Sequence, residues 1–328
     1  MRIKDKIRTF TSPNYNYRFD MRTGYFERDT IYDYSPYGAE IADIEVSTIC
    51  NCDCPSCYKS NTVFGDNMSY STFVNVFDNL PSTVCQVALG IGNVSANPDL
   101  FKIMNYIRLN NVIPNITISS NDELDDAEVS KLADVCGAIS VSCYDTDKCF
   151  ALIKRLQAAG AKQVNIHHIL ANETCDDIRR VMRGIVEARL NINALVLLWY
   201  KDCGRDRRLI GYTNPYKHQV EEIIFLSKVT RIALGFDSCS AANIVELYPP
   251  YVKKYIEPCE STLFSIYIDV YGMAHPCSFA THSGGIDMTV PISFIRDVWE
   301  SKIFGSFRRA LLHNRRACPI YDLKFKHE

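Results

Sequence analysis

Fourteen cysteines stand in 328 residues, and four of them, Cys50, Cys52, Cys54 and Cys57, fall within eight residues of "STICNCDCPSCYKSN". Thiols this dense can bind zinc, pair as disulfides or hold an iron–sulfur cofactor. Iron–sulfur clusters take three or four thiolates from a flexible loop. Cys50, Cys54 and Cys57 form a C-x3-C-x2-C frame that leaves Cys52 outside it. Three thiolates on a four-iron cluster leave one iron free to take a cofactor or substrate, which is a catalytic arrangement. Zinc knuckles instead favour paired C-x2-C modules some way apart, and this loop has one such pair with two odd cysteines. A four-cysteine zinc site is the alternative at this stage.

The elements that must position these thiols alternate along the chain. "DIEVST", "TVCQVALG", "VIPNITIS", "AISVSC", "KQVNIHHIL" and "NINALVLLWY" are short β-rich runs. Each is followed by a stretch with apolar residues at helical spacing, as with Phe73, Val76, Phe77 and Leu80, or Leu100, Ile103, Met104 and Ile107. A seventh strand candidate, "TRIALGF", closes the series. Near-continuous apolar strands are those of a parallel sheet covered by helices. Six strand–helix units are too few to close an eight-stranded barrel, so the pattern predicts an open partial barrel or a doubly wound sheet. In either, ligands gather at the carboxyl ends of the strands, where the Cys50–Cys57 loop falls. Ahead of residue 43, "YNYRF" and "GYFER" flank a turn and predict a β-hairpin. Beyond residue 235 the pattern changes to a strand, a turn at Val270–Gly272, a second strand, and one helix over "SFIRDVWESKIFGSFRRALLH". Three segments result: 1–42, 43–235 and 236–328.

Composition narrows the setting. The chain is 47% hydrophobic and 23% charged, with no apolar run near the ~20 residues of a membrane span. Its amino terminus places charges where a signal peptide needs apolar residues, so a cytoplasmic protein without a membrane role is expected. Structural disulfides are rare in that compartment. A net charge of −2 gives no global pull toward nucleic acid, and the basic runs "RDRRL" and "HNRRA" read as solvated faces. Cys85, Cys136, Cys143, Cys149, Cys175 and Cys203 fall within the helix and strand patterns and read as core.

The C-x3-C-x2-C frame after a first strand, together with the βα alternation, resembles the radical S-adenosylmethionine (SAM) superfamily. That resemblance implies a partial (β/α)6 barrel in which Cys50, Cys54 and Cys57 bind a [4Fe–4S] cluster, with SAM chelated to the fourth iron. It implies reductive cleavage of SAM to a 5′-deoxyadenosyl radical that takes a hydrogen atom from the substrate, fed by an electron donor such as flavodoxin or ferredoxin. "ALGIGNVSANPD" stands where the family has a glycine-rich SAM-binding motif. Gly90 and Gly92 keep the permissive backbone, and Asn93 replaces a common glutamate, keeping an acceptor oxygen without the charge. The resemblance further offers Ser119 and Asn121 in "TISSN" for the adenine, Ser142 for the ribose and Arg205 for the SAM carboxylate. The position before the last cysteine of the frame is often aromatic in the family; here it is Ser56, with Tyr58 just after. His167 and His168 are adjacent on the fifth strand, so their side chains point to opposite faces; one of them could face the lumen, and a satisfied core or surface histidine is the first reading.

Cys259 and Cys277 bracket Gly272 as C-x12-G-x4-C. This resembles the opening of SPASM and shorter "twitch" auxiliary-cluster domains, which implies a small C-terminal α+β domain. Cys239 and Cys318 are the natural remaining ligands of one auxiliary [4Fe–4S] cluster, with zinc as the alternative. Relatives with such domains act on peptides and proteins, and others on nucleotides. Where the sulfatase-maturing relatives carry an aspartate base after the second cysteine, this chain has Ser278. Asp269 and Ser278 are the catalytic candidates near the second site. The expected substrate is a peptide or protein; a nucleotide or other small metabolite is the second reading, and a non-catalytic zinc or iron–sulfur binding protein the third.

Overall fold

The computed structural model describes residues 7–31, 33–205, 211–253 and 256–327. Seven parallel strands form its centre: β4 (Ile41–Glu45), β5 (Gln86–Gly90), β6 (Ile113–Ser119), β7 (Ile139–Ser142), β8 (Val164–Leu170), β9 (Ala194–Trp199) and β10 (Leu234–Phe236). Helices α1 (Tyr70–Asp78), α2 (Leu100–Leu109), α3 (Asp126–Val135), α4 (Thr146–Ala158), α5 (Cys175–Glu187) and α6 (Lys217–Thr230) follow the first six. The local rules that start them are visible. Ser69, Asp125 and Asp145 each accept a backbone N–H in the first turn, and Glu128 completes a capping box at α3.

Strand order separates the two architectures that the alternation allowed. The order runs β10-β9-β8-β7-β6-β5-β4, so every crossover steps the same way. Right-handed crossovers that never reverse place every helix on one face of the sheet. A doubly wound sheet needs a reversal; this one curls into a partial barrel with its other face as lumen. The helix-facing set, Ala42, Ile44, Val87, Leu89, Ile116, Ile118, Val141, Ile166, Leu195 and Leu197, is buried in one apolar core. Alternation puts Asp43, Glu45, Ser119, Ser142 and His167 on the lumen side. A lumen this polar is a place for a ligand rather than a packed barrel interior.

Past β10 the chain adds to the same sheet. β11 (Ser265–Ile268) pairs in parallel with β4, and β12 (Met273–His275) and β13 (Ile286–Asp287) extend it antiparallel. The helix expected over residues 293–313 is two elements: a π-helical segment over Phe294–Trp299, then α7 (Lys302–His313), which restarts where the Ser301 hydroxyl accepts from Phe304 N at 3.3 Å.

The expected amino-terminal hairpin is a three-stranded sheet of β1 (Ile7–Ser12), β2 (Tyr15–Asp20) and β3 (Phe26–Thr30). Tyr15, Tyr17 and Phe19 alternate with polar residues and pack with Cys85 and Ile113, which precede β5 and open β6. This sheet therefore closes the end of the barrel opposite the cysteine loop. Arg28 on β3 is buried between Glu40 at 2.5 Å and Glu260 at 2.9 Å, tying the amino-terminal sheet to the segment that carries Cys259.

Candidate active site

The loop after β4 is doubled on itself. Thr48 N donates to Asp66 O and Cys50 N to Thr62 O, each at 2.9 Å, so residues 51–61 project as a tip above the lumen. Two glycines from other strands allow it to sit there. A Cβ on Gly92 would come within 2.9 Å of Cys50 Sγ and 2.7 Å of Ile49 O, and a Cβ on Gly204 within 2.6 Å of Tyr58 Cα. Gly92 is thus needed for close approach, and Gly204 for both close approach and its φ of +79°.

Asn93 stitches the tip to the barrel. Its Oδ1 accepts from Asn51 N at 2.8 Å, while its Nδ2 donates to Asp122 Oδ1 at 3.1 Å and to Cys52 Sγ at 3.3 Å. Asp122 also accepts from Val94 N at 2.8 Å. The thiols of Cys50, Cys52, Cys54 and Cys57 feel one another electrostatically. Burial above all pushes Cys50 up to about 11, and it also raises Cys54, whose sulfur shares a hydrogen bond with the Tyr144 hydroxyl. Arg205 donates its N–H to Cys57 O at 3.0 Å, and its guanidinium engages Asp53 and the Asn61 carbonyl. It therefore braces the loop from the β9 side. The rest of its basic run, 206–210, lies outside the described residues.

Gly90, Gly92, Asn93, Ser119, Asn121 and Ser142 all come to the carboxyl ends of β5, β6 and β7. Ser119 Oγ accepts from Asn121 N at 3.1 Å, and the register places Ser119 beside Ser142 and Ser142 beside His167. Burial drives the His167 imidazole down to about 4 despite nearby Asp237, and burial also lowers His168, whose charged neighbour is Asp177 on α5. The two histidines face the lumen and the helices respectively.

The second group of thiols gathers on the other side of the lumen. Cys239 and Cys318 are hydrogen-bonded, which brings Cys318 down to about 6 and raises Cys239. Burial raises Cys259 to about 12 and also raises Cys277, and both feel Cys318. Backbone N–H groups point at two of the sulfurs: Phe279 N to Cys277 at 3.5 Å and Tyr321 N to Cys318 at 3.4 Å. Arg316 anchors the Cys259 carbonyl at 3.0 Å. All fourteen cysteines are unbridged. Among the described residues no three His, Cys, Asp or Glu side chains form a ready single-ion site. An all-thiol donor set in two separate groups fits soft, thiolate-bound clusters by its chemistry.

Two cavities flank the tip. An outer cleft of about 510 Å³ is lined by Lys59, Asn61, Cys203, His282 and Tyr321 among others. Cys203 thus lies at the site rather than in the core, and its thiol hydrogen-bonds with the Tyr321 hydroxyl. An inner cavity of about 300 Å³ reaches from Ser56 to Cys239, Cys259 and Cys277. Tyr58 and Phe279, with ring centroids 4.9 Å apart, border both, as does Ser278, whose hydroxyl bonds that of Tyr58. Asp269, the other catalytic candidate, takes backbone N–H groups of Tyr271 and Met273 at 3.0 Å each and His275 Nε2 at 2.8 Å. Despite its burial these bonds hold its carboxyl low, and they give it the part of a turn-former between β11 and β12.

No family model matches the chain, and no curated protein matches it. Solved structures do. SuiB of Streptococcus suis bound to S-adenosylmethionine superposes with a TM-score of 0.63 at 13% identity, over 84% of this chain and 68% of SuiB. SuiB bound to the precursor peptide SuiA gives 0.62 at 15% identity, over 83% and 67%. Native anSMEcpe with bound AdoMet and Cp18Cys peptide gives 0.57 at 12%, over 81% and 82%. The chain shares the fold of these proteins solved with S-adenosylmethionine. Among the described residues no helix is long and apolar enough to cross a membrane.

Tyr267, beside Asp269 near the second thiol group, reads from the sequence as a residue that could face the substrate, but the charged lumen groups around it carried no signal. Tyr267 OH donates to Glu45 Oε2 at 2.9 Å and accepts from Lys59 Nζ at 2.5 Å, with Lys59 3.3 Å from Glu45. Lys201 Nζ bonds Asp237 Oδ2 at 2.6 Å beside Cys239 and Cys318. Asp43 faces the inner cavity and is open to it, and the surrounding protein, with repulsion from Glu260, pushes its carboxyl up. A single acid or lysine in a strand looks like any half-exposed residue; only the alternation of β4, with two acids on one face, hinted at this lumen.

Proposed function

We propose that the protein is an enzyme that reductively cleaves S-adenosylmethionine and abstracts a hydrogen atom from a peptide or protein substrate. The observation that carries this is the C-x3-C-x2-C tip standing over a polar lumen in a fold shared with proteins solved with S-adenosylmethionine. Cys50, Cys54 and Cys57 would hold a [4Fe–4S] cluster, and Cys239, Cys259, Cys277 and Cys318 an auxiliary one. When bound, the first cluster supplies the electron that breaks the carbon–sulfur bond of SAM, delivered from a donor such as flavodoxin or ferredoxin. The chain's own contribution is positional. Gly92 lets Cys50 approach β5, Asn93 and Asp122 set the tip against β5 and β6, and Ser119, Asn121 and Ser142 offer hydrogen bonds at the strand ends. Tyr58 and Phe279 wall the reaction space from the outer cleft.

Two observations support a peptide over a nucleotide. SuiB and anSMEcpe were both solved with peptides. The lysines at the lumen, Lys59 and Lys201, are each paired with a carboxylate, Glu45 and Asp237, which leaves neither converging on a phosphate site. The cytosol is the compartment that would keep the thiols reduced.

Anaerobic reconstitution with iron and sulfide, followed by dithionite and SAM, tests the reading. Expected are about eight irons per chain from two four-iron clusters and release of 5′-deoxyadenosine. Changing Cys50, Cys54 and Cys57 together to Ala should remove about half the iron and all SAM cleavage. Zinc in place of iron, or intact clusters without SAM cleavage, would refute it.

A further inference from the structure

A buried ion pair stands beside the second group of thiols. Lys201 lies just past β9 and Asp237 just past β10, so the parallel pairing of those strands brings the two together at their carboxyl ends. Their side chains are only 7% and 14% exposed, and Lys201 Nζ meets Asp237 Oδ2 at 2.6 Å and Trp199 O at 3.0 Å. Asp237 is fixed by other bonds as well. Its Oδ1 accepts from Ser240 Oγ at 2.5 Å and from Trp199 N at 3.3 Å, and its N–H donates to Leu197 O at 3.0 Å. The turn that these bonds close, residues 237–240, carries Cys239.

As a device for stability such a pair is weak, because the desolvation penalty of two charges can exceed their attraction. Its position gives it a chemical use. Cys239 and Cys318 both feel the Lys201 charge. Lys201 Nζ also stands 5.2 Å from the centre of the Phe279 ring, and Phe279 N points at Cys277 Sγ at 3.5 Å. The Tyr321 ring meets that of Phe279 edge to face at 5.6 Å, and Tyr321 N points at Cys318 Sγ at 3.4 Å. One full positive charge and two backbone N–H dipoles are thus set against the same thiols. Four thiolates around a four-iron cluster leave the assembly negative, and an added electron makes it more so. Net charge and hydrogen bonds to the sulfurs set the potential of such a cluster, and a fixed cation in a poorly solvated place acts at greater strength than in water.

We propose that Lys201 sets the reduction potential of the auxiliary cluster, its buried charge favouring the reduced state, while Asp237 holds Lys201 in place and tempers that charge. This rests on the auxiliary cluster proposed above and names the residue that governs its electron affinity. No bond is made or broken: one electron from an external reductant enters the cluster, and Lys201 keeps its proton throughout.

The test is a dithionite titration at controlled potential, followed by electron paramagnetic resonance. It uses the reconstituted full chain with Cys50, Cys54 and Cys57 changed to Ala, so that the auxiliary cluster alone gives the signal. Lys201→Gln keeps a donor for Asp237 and removes the charge. Its equilibrium constant for one-electron reduction should fall about 10-fold or more, a drop of at least ~59 mV. Lys201→Arg keeps the charge and should match its parent, and Asp237→Asn unmasks the charge and should move the constant in the opposite direction. A role in packing alone would shift the bulkier Lys201→Arg at least as far as Lys201→Gln and would give no reversal of sign. An unchanged constant in Lys201→Gln, an equal shift in Lys201→Arg, or a fall in Asp237→Asn overturns the proposal, and Asp237→Asn is read independently where Lys201→Gln does not load. Loss of iron from both assigns the pair to building the site and overturns it too. Zinc, or no iron, at the second site of the parent overturns this proposal and the auxiliary cluster together. A cluster present with unchanged potentials overturns the role of Lys201 alone, and 5′-deoxyadenosine release by the chain with all its cysteines reports separately on the enzymatic reading.

Discussion

Gly92→Ala probes the placement of the cysteine tip most directly. The added Cβ would stand 2.9 Å from Cys50 Sγ and 2.7 Å from Ile49 O, with Cys50 Cβ nearer still. Unstrained heavy-atom contacts lie near 3.5 Å, and the nearest contact, Cys50 Cβ, sets the retreat of the tip at about 1 Å. Ile49 O and Cys50 Cβ are both fixed to the backbone, so the backbone has to give. Overpacking of this kind costs about 1–3 kcal/mol. A displacement approaching 1 Å at a reacting centre costs about 100-fold in rate. Gly90→Ala serves as the matched control, because its Cβ would meet Glu45 Cα at 3.3 Å and asks for a shift of only a few tenths of an ångström. The assays are iron and sulfide content after reconstitution, 5′-deoxyadenosine release with dithionite and SAM, and urea unfolding. Gly92→Ala should bind about half the wild-type iron or, with iron retained, cleave SAM on the order of 100-fold more slowly; Gly90→Ala should stay close to wild type. Full iron and wild-type SAM cleavage in Gly92→Ala would refute the argument that Gly92 seats Cys50.

Three further outcomes follow from the same geometry. Arg28→Ala leaves Glu40 and Glu260 buried without their cation, so urea unfolding should show a loss of about 3–5 kcal/mol; a loss under ~1 kcal/mol would mean that the carboxylates find other partners. Changing Cys259 and Cys277 together to Ala should remove the iron that the Cys50, Cys54 and Cys57 variant retains, while SAM cleavage without substrate persists; loss of both activities would place the two thiol groups in one site. His167 is held near 4 in the folded chain against about 6.5 unfolded. The unfolded chain therefore binds the extra proton, and stability falls as pH drops from about 6.5 toward 4, by up to about 3 kcal/mol. His167→Asn should flatten that slope in urea titrations across the window, and an unchanged slope would assign the acid sensitivity elsewhere.

The periodicity of the sequence by itself determined the seven parallel strands and six long helices, because each is set by contacts within a few residues. It also determined the C-x3-C-x2-C frame and its place after the first strand, since ligand spacing is a property of the local chain. The same reading merged residues 293–313 into one helix, because apolar spacing continues through Ser301 and only the capping hydroxyl marks the restart. It missed β1, whose residues 7–12 alternate without an apolar signal until β2 is there to pair with them. Whether the units would wind one way or both was settled by strand order, which no strand encodes alone. The inner cavity belongs wholly to the tertiary structure. β11 pairs with β4 across more than 200 residues, and that pairing sets Tyr267 beside Asp43 and brings Cys259 and Cys277 to the lumen. An acid at position 43 reads as an ordinary strand residue until that pairing makes it part of a cavity wall.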